Sequence, residues 1–333
     1  PPPFQTALVL RLNKEYMKGV PSVYQMGKKS DPRRYRQNYE TPPDLAQALL
    51  ALTRRVARTT PQTWWLEPSA GQGAFFRLLP PRRRIGIELH GPTARQTGCR
   101  TGNFLHTRPK PCRSPSEVVV IGNPPFSSPR GGDMAMRFVK HSALFGDTLA
   151  MILPISFVRR SRQSAMPPDF VLVYSRRLPH QTFTNARNRH GIKTVFQIWR
   201  KRSTPRPVWP RVSWPAGLTR VRYHQAWNLC VYRMGAPAQA GLAYLRAAAP
   251  EHLTRCAKSY LWYFSSETPE EHVRAMHSIR ADLVCYFQDT SVTQLLTLNA
   301  QDFIRLLTGV PVSALTYEVK GKGKTTKKKS NGR

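Results

Sequence analysis

The chain has 333 residues, 40% of them hydrophobic, enough to build one large domain and a smaller one. It carries 52 Lys and Arg against 18 Asp and Glu, a net charge of +34. A field of that size attracts polyanions and opposes compaction unless it is neutralised, which makes nucleic acid the natural partner. No apolar run reaches the length of a membrane-spanning helix; an acidic membrane surface would also answer the charge, but no amphipathic basic helix stands out, so no membrane partner is expected. The 5 cysteines form no C-x-x-C pair and the 9 histidines no H-x-x-H pair. That excludes zinc or another metal and a disulfide framework, and it suits a reducing compartment.

Residues 1–38 read as a basic N-terminal arm. Pro1-Pro2-Pro3 opens it, and Lys28 to Arg36 is a basic, turn-rich cluster. A helix is predicted to start at Thr41-Pro42-Pro43-Asp44, with Leu45, Leu49, Leu50 and Leu52 as its apolar face. Strands are predicted at Thr63–Glu67, Arg84–Leu89, Val118–Gly122, Leu149–Leu153, Phe170–Tyr174 and Thr194–Trp199, with room for one more near Thr97–Leu105. Strands alternating with helical or loop segments imply an α/β fold with a sheet covered by helices. Residues 203–215 hold four Pro and two Trp and read as a linker packed down by its indoles. A second unit, 216–318, has predicted strands at Trp227–Met234 and Tyr260–Phe264 and predicted helices at Ala236–Ala249 and Asn299–Leu307. The end, 319–333, is Lys/Gly/Thr/Ser-rich and reads as a disordered polycation.

Three segments carry chemistry. Trp64 to Phe75 reads as a strand, then a glycine-rich turn Glu67-Pro68-Ser69-Ala70-Gly71-Gln72-Gly73, then a helix start whose free N–H groups face a ligand. Glu88 closes the next strand, where an acid can accept both hydroxyls of a ribose. Val118-Val119-Val120-Ile121-Gly122 runs into Asn123-Pro124-Pro125-Phe126. Two prolines make that strand exit stiff. It presents an amide, a carbonyl and a ring together, which suits a flat amino-bearing substrate.

The order of these segments resembles the S-adenosylmethionine-dependent amino-methyltransferases of the N6-adenine type. The likeness covers about residues 39–202 and includes Tyr39-Glu40-Thr41-Pro42 before the glycine-rich loop and Gly102-Asn103-Phe104-Leu105 after Glu88. It is the class whose target-recognition region lies C-terminal. Residues 222–308 are similar to the C-terminal extension of uncharacterised adenine-methylase-like proteins of large viruses. The resemblance implies a Rossmann-like seven-stranded sheet with helices on both faces, plus a smaller C-terminal α+β unit. It implies S-adenosylmethionine as cofactor, held by Tyr39, Thr41, Glu67, Pro68, Ser69, Ala70, Gly71, Gly73, Glu88, Asn103 and Phe104. It makes Asn123, Pro124, Pro125 and Phe126 catalytic. Asn103 departs from the family's usual Asp, which predicts weaker cofactor binding.

A basic stretch lies within the same region. Between Ile155 and Arg202 there are eleven Lys or Arg and one acid, Asp169, interleaved with aromatics. Arg159, Arg160, Arg162, Arg176, Arg177, Arg187 and Arg189 are predicted to grip phosphates, and Phe183 to stack on a base. Residues 203–315 carry a milder +4. Function follows as methyl transfer to adenine N6 in nucleic acid, RNA before DNA and ribosomal RNA among RNAs. The competing reading is a methyltransferase-fold subunit that binds RNA and other proteins inside a ribonucleoprotein such as a mitochondrial ribosome, with little or no catalysis. A third is guanine N2 or a protein glutamine amide as acceptor, of which the protein substrate sits poorly with the charge. An Arg-rich, acid-poor chain that begins at Pro1 points to a processed mitochondrial matrix protein.

Overall fold

The computed structural model describes residues 39–109, 117–126, 133–179, 182–183, 192–207, 209–222, 224–233, 238, 243–246, 261–290 and 298–319. Helix α1 spans Pro43–Ala57. Proline suits its first position because that N–H has no partner in a helix anyway. Asp44 lies in the positive first turn, Arg54 and Arg55 in the negative last one. Ala46, Leu49, Leu50, Thr53 and Ala57 form its buried stripe.

Strand β1 spans Trp64–Glu67 and β2 spans Arg84–Glu88. Between them the predicted helix is absent; the chain makes two short 3-10 turns, Phe76–Leu78 and Pro81–Arg83. Pro80 and Pro81 are the cause, since prolines remove donors and bias the preceding residue away from helical backbone. Helix α2, Gly91–Thr97, and the short strand β3, Arg100–Thr101, follow. Strand β4 is Val118–Gly122, buried along its whole length. Helix α3, Met134–Ser142, is capped by the Asp133 carboxylate, and β5 is Thr148–Pro154. A 3-10 turn at Ile155–Val158 leads into the one-turn helix α4, Arg160–Gln163. Strands β6, Phe170–Arg177, and β7, Thr194–Lys201, complete the sheet.

The sheet has seven strands in the order β3-β2-β1-β4-β5-β7-β6. All neighbours are parallel except β7, which runs antiparallel to both β5 and β6. Alternation along the strands divides the core in two. Val119, Ile121, Ala150, Ile152, Phe196 and Ile198 pack on one face with Leu49 and Leu50 of α1. Val118, Val120, Leu149, Met151, Leu153 and Val195 pack on the other with Met136, Phe138 and Val139 of α3. This is the Rossmann-like sheet with helices on both faces that the sequence predicts.

The C-terminal region is α+β, also as predicted. Strands β8 (Leu218–Val221), β9 (Leu229–Tyr232), β10 (Ala243–Leu245) and β11 (Leu261–Ser266) form an antiparallel sheet in the order β10-β9-β11-β8. Helices α5 (Pro269–Ser278), α6 (Arg280–Thr290), α7 (Ala300–Leu307) and α8 (Val312–Leu315) accompany it. The expected helix over Ala236–Ala249 is overturned where β10 stands. There Ala243, Tyr244 and Leu245 pair with Val231, Cys230 and Leu229. Cross-strand pairing and burial override the helix preference of an alanine-rich run. The linker indoles do pack down: Trp214 lies edge-on to Phe264 at 4.8 Å, and the Arg305 guanidinium sits 3.8 Å from the Trp209 ring.

The C-terminal region docks on the turn that follows β5. Ser161 donates to Asp302 Oδ2 at 2.9 Å and Tyr286 to the same oxygen at 2.6 Å. Gln163 donates to the Tyr317 carbonyl at 2.8 Å, and the Tyr317 N–H to the Val158 carbonyl at 2.8 Å. No helix among the described residues is long and apolar enough to cross a membrane.

Candidate active site at the ends of β1 and β4

In an open α/β sheet, ligands bind beyond the carboxyl ends of the strands where the strand order reverses. Here that place lies between β1 and β4, so Glu67 and Gly122 mark it. The two exits are in contact. A Cβ on Gly122 would lie 3.4 Å from Pro68 Cδ and 3.6 Å from Glu67 Cγ. Ser69 Oγ donates to the Asn123 carbonyl at 3.3 Å, tying the glycine-rich loop to the Asn-Pro-Pro-Phe turn.

The loop owes its shape to its glycines. Gly71 has φ +50° and Gly73 φ +81°, backbone that other residues adopt with strain. The space beside Gly71 is open: nothing lies within 4 Å of where a Cβ would sit. The Ala70 N–H donates to the Ile87 carbonyl at 2.9 Å, and the Gly71 N–H to Glu88 Oε2 at 2.9 Å. Glu88 also accepts from the His90 N–H at 2.8 Å. Each oxygen of Glu88 thus holds one backbone donor and keeps a lone pair for a ligand. The carboxylate organises the loop as well as facing the site, a duty that sequence reading missed.

Glu67 is 2% exposed. Burial pushes its carboxyl well above the usual range; the Phe76 N–H lowers it again and the charge of Glu88 raises it further. Its Oε2 is buried without a hydrogen-bond partner among the described residues. A buried carboxylate oxygen without a partner is costly. A cationic donor reaching β1's end would relieve it.

Asn123 is half-buried. Its Nδ2 donates to the Tyr39 carbonyl at 3.0 Å and to Thr41 Oγ1 at 3.3 Å. A carbonyl only accepts, so the nitrogen end of the amide must face Tyr39. The Oδ1 end is left as acceptor. Phe126 is half-buried and lies nearly parallel to Tyr39, with ring centroids 6.4 Å apart. Pro124 is buried and Pro125 half-buried. Tyr39 and Thr41 therefore reach the site through Asn123 and Phe126, contacts that the sequence did not announce.

Asn103 is exposed, and its Oδ1 accepts from the Leu105 N–H at 3.1 Å, capping a 3-10 turn. Phe104, the other residue of this turn expected at the cofactor, has its ring in the core. It is 2% exposed and packs against Phe138 and edge-on to His141, with centroids at 5.4 and 4.7 Å. Phe183 is likewise core, 1% exposed within the cluster of Leu50, Phe75 and Phe196, so it offers no face to a base.

Arg159, Arg160, Arg162 and Arg177, expected to grip phosphates, have partners within the protein. The Arg159 guanidinium lies 4.7 Å from the Tyr286 ring and that of Arg160 5.1 Å from the Tyr317 ring. Arg162 pairs with Asp133 and covers the Phe157 ring at 4.7 Å; burial lowers its pKa. Arg177 pairs with Glu318 at 2.7 Å. Arg159, Arg160 and Arg177 thereby join the C-terminal region to the sheet, while Arg162 makes its contacts within the sheet region. A charge count cannot separate such internal use from solvent-facing use. Arg176 is exposed, while Arg187 and Arg189 lie outside the described residues. Among the described residues no group of three or more His, Cys, Asp or Glu is placed to hold a metal.

No family model and no curated protein matches the chain. Solved structures are similar at low identity. One is a candidate RNA methyltransferase from Pyrococcus horikoshii, 17% identical over 53% of this chain and 91% of that one, with a TM-score of 0.39. Another is the type I restriction-modification methyltransferase subunit from Streptococcus thermophilus, 17% identical over 50% and 45%, TM-score 0.40. A third is the M protein of the type I restriction enzyme EcoKI, 18% identical over 50% and 44%, TM-score 0.39. The chain matches less than half the length of either restriction subunit. Strand order and register, not these likenesses, define the fold described above.

Proposed function

We propose that the protein transfers a methyl group from S-adenosylmethionine to the exocyclic amine of adenine in nucleic acid, with RNA ahead of DNA. The observation that carries this reading is the orientation of Asn123. Its two amide hydrogens are directed at Tyr39 and Thr41, which leaves Oδ1 as an acceptor, and the next residue, Pro124, carries a second acceptor in its carbonyl. Two acceptors suit a group with two N–H donors, which is an aromatic amine. A ring oxygen or a ring nitrogen lacking hydrogen would be repelled.

The residues present fit the cofactor. The orphaned Glu67 Oε2 suits the ammonium of its methionine part, the open space at Gly71 admits a ligand against the backbone, and the spare lone pairs of Glu88 suit ribose hydroxyls. When bound, S-adenosylmethionine supplies an electrophilic methyl group on a sulfonium. Asn123 Oδ1 and the Pro124 carbonyl would each hold one amine hydrogen, which favours a more tetrahedral nitrogen with its lone pair free of the ring. Phe126, backed by Tyr39, would stack on the base. No strong base is needed beforehand, because the proton becomes acidic once nitrogen is alkylated. The rest is alignment, which can supply several kcal/mol. A base in a duplex must first be flipped out; single-stranded RNA avoids that cost.

One observation favours the second reading, an RNA-binding subunit with little catalysis: the glycine-rich loop leads into 3-10 turns and offers no long helix N-terminus to the ligand. Calorimetry with S-adenosylmethionine and with its demethylated product separates the two. Binding of both supports the enzyme, and no heat at millimolar ligand leaves only the scaffold.

A further inference from the structure

The sheet has a second end, and its charge is put to no use by the site at Asn123. α1 starts beside Asn123, through Thr41, and runs about 22 Å to Arg58 at the amino end of β1. Arg82 stands just before β2, and the antiparallel β7 brings Lys201 and Arg202 to the same end, where Arg200 pairs with Thr148, the first residue of β5. Arg55, Arg58, Arg82, Lys201 and Arg202 are all exposed. From β2 to β7 this edge is four strand spacings wide, about 19 Å.

Three acids lie at this end among the described residues, against five exposed cations. Glu117 accepts from the Thr63 hydroxyl at 3.1 Å, and Asp147 from the Val118 N–H at 2.9 Å. Asp169 faces Lys201 at 3.8 Å. A helix macrodipole accounts for cations at the end of α1, but not for Arg82 or Arg202, which stand at strand ends. Arg58 is the sharper sign. It closes α1 at φ +56°, the only residue other than glycine with positive φ among the described residues. Glycine fits that backbone better, yet the chain keeps a guanidinium there.

We propose that this end is a docking face for the phosphate backbone of double-stranded RNA, remote from the mouth at Asn123. Arginine outnumbers lysine on it, and the guanidinium fork matches phosphate. No exposed aromatic ring stands there for stacking on single-stranded bases, since the only exposed large ring among the described residues is Tyr317, docked on Val158. Its elements are strand ends and short turns rather than the side of a helix, which suits the shallow minor groove of an RNA duplex more than the major groove of DNA. The proposal is independent of methyl transfer, so failure of one leaves the other standing.

The test uses the full chain and a labelled RNA hairpin titrated across a range of salt. The variant with Arg55→Glu, Arg58→Glu, Arg82→Glu and Arg202→Glu should lose about tenfold or more in affinity and about three to four units of log–log salt slope. Arg176→Glu, at the opposite end of the sheet, should lose no more than about one unit. Arg58→Gly should raise Tm while weakening RNA binding, an opposition that no purely structural role produces. An unchanged slope in the fourfold variant overturns the proposal. So does affinity lost only together with Tm. Tighter capture of duplex DNA, single-stranded RNA or phosphatidylserine vesicles overturns the choice of partner.

Discussion

The amide nitrogen of Asn123 donates to the backbone carbonyl of Tyr39 at 3.0 Å, and that bond decides which end of the amide faces the site. Removing the acceptor end should be specific to catalysis. Asn123→Ala is predicted to raise the barrier to methyl transfer by about 1–3 kcal/mol, which slows it roughly fivefold to over a hundredfold. Affinity for S-adenosylmethionine should stay within about twofold. Single-turnover kinetics beside calorimetry checks both numbers.

Thr41 supplies the second anchor of the same amide, at 3.3 Å, and is 8% exposed. Thr41→Val keeps the shape and deletes the acceptor. A lost hydrogen bond of about 1 kcal/mol should cost about fivefold in turnover. Thr41→Ser should restore it. A valine variant with unchanged turnover would show that the Tyr39 carbonyl alone fixes the amide.

Glu67 makes cofactor binding pH-dependent. Its folded-state pKa is raised by burial, so the neutral form persists above the ordinary carboxyl range. A carboxyl raised in the folded state gives stability that is complete below its unfolded pKa and is lost as pH climbs through the folded one. Binding a cation reverses the preference and expels the proton. Affinity for S-adenosylmethionine should therefore rise with pH through that window. Calorimetry in two buffers of different ionisation enthalpy should report proton release. Glu67→Gln should abolish the release and reduce the loss of Tm as pH climbs through that window, leaving the share due to Asp302, which burial also raises.

The β-strands of the large sheet were legible because buried parallel strands read as short apolar runs, as Val118 to Ile121 does. The glycine-rich loop and the Asn-Pro-Pro-Phe turn were legible because glycine and proline punctuate local backbone. Phe104 and Phe183 were not, because a ring that stacks on a base and a ring that fills a core look alike in one dimension. The internal contacts of Arg159, Arg160 and Arg162 were not legible either, because their partners, Tyr286, Tyr317 and Asp133, are distant in sequence. β10 was missed because alanine signals helix locally while the pairing that decides it lies a dozen residues upstream.

Phe183 gives that lesson a number. Phe183→Ala should cost about 3–5 kcal/mol of stability, as expected for an emptied core site. RNA affinity of the folded fraction should not change. Thermal melts beside RNA titrations check this; lost RNA affinity at unchanged Tm would restore Phe183 as a base platform.

Asp302 links the C-terminal region to the sheet through Ser161 and Tyr286. Asp302→Ala removes the acceptor that both hydroxyls share, at a cost of about 1–3 kcal/mol. Tm should fall by several degrees. Hydrogen exchange should rise in 155–164 together with α6 and α7, because the cluster couples them. Protection lost from α7 alone would mean that the two regions open independently.

The central claim is that Asn123 presents adenine's amine for methylation. The most direct measurement incubates wild-type protein and Asn123→Ala with isotopically labelled S-adenosylmethionine and total RNA or DNA, then digests to nucleosides. The account predicts label in N6-methyladenosine from RNA with the wild type, and an initial rate roughly fivefold to over a hundredfold lower with the variant at equal cofactor occupancy. Label that is absent with a wild type saturated by cofactor, or equal in the two proteins, would contradict it.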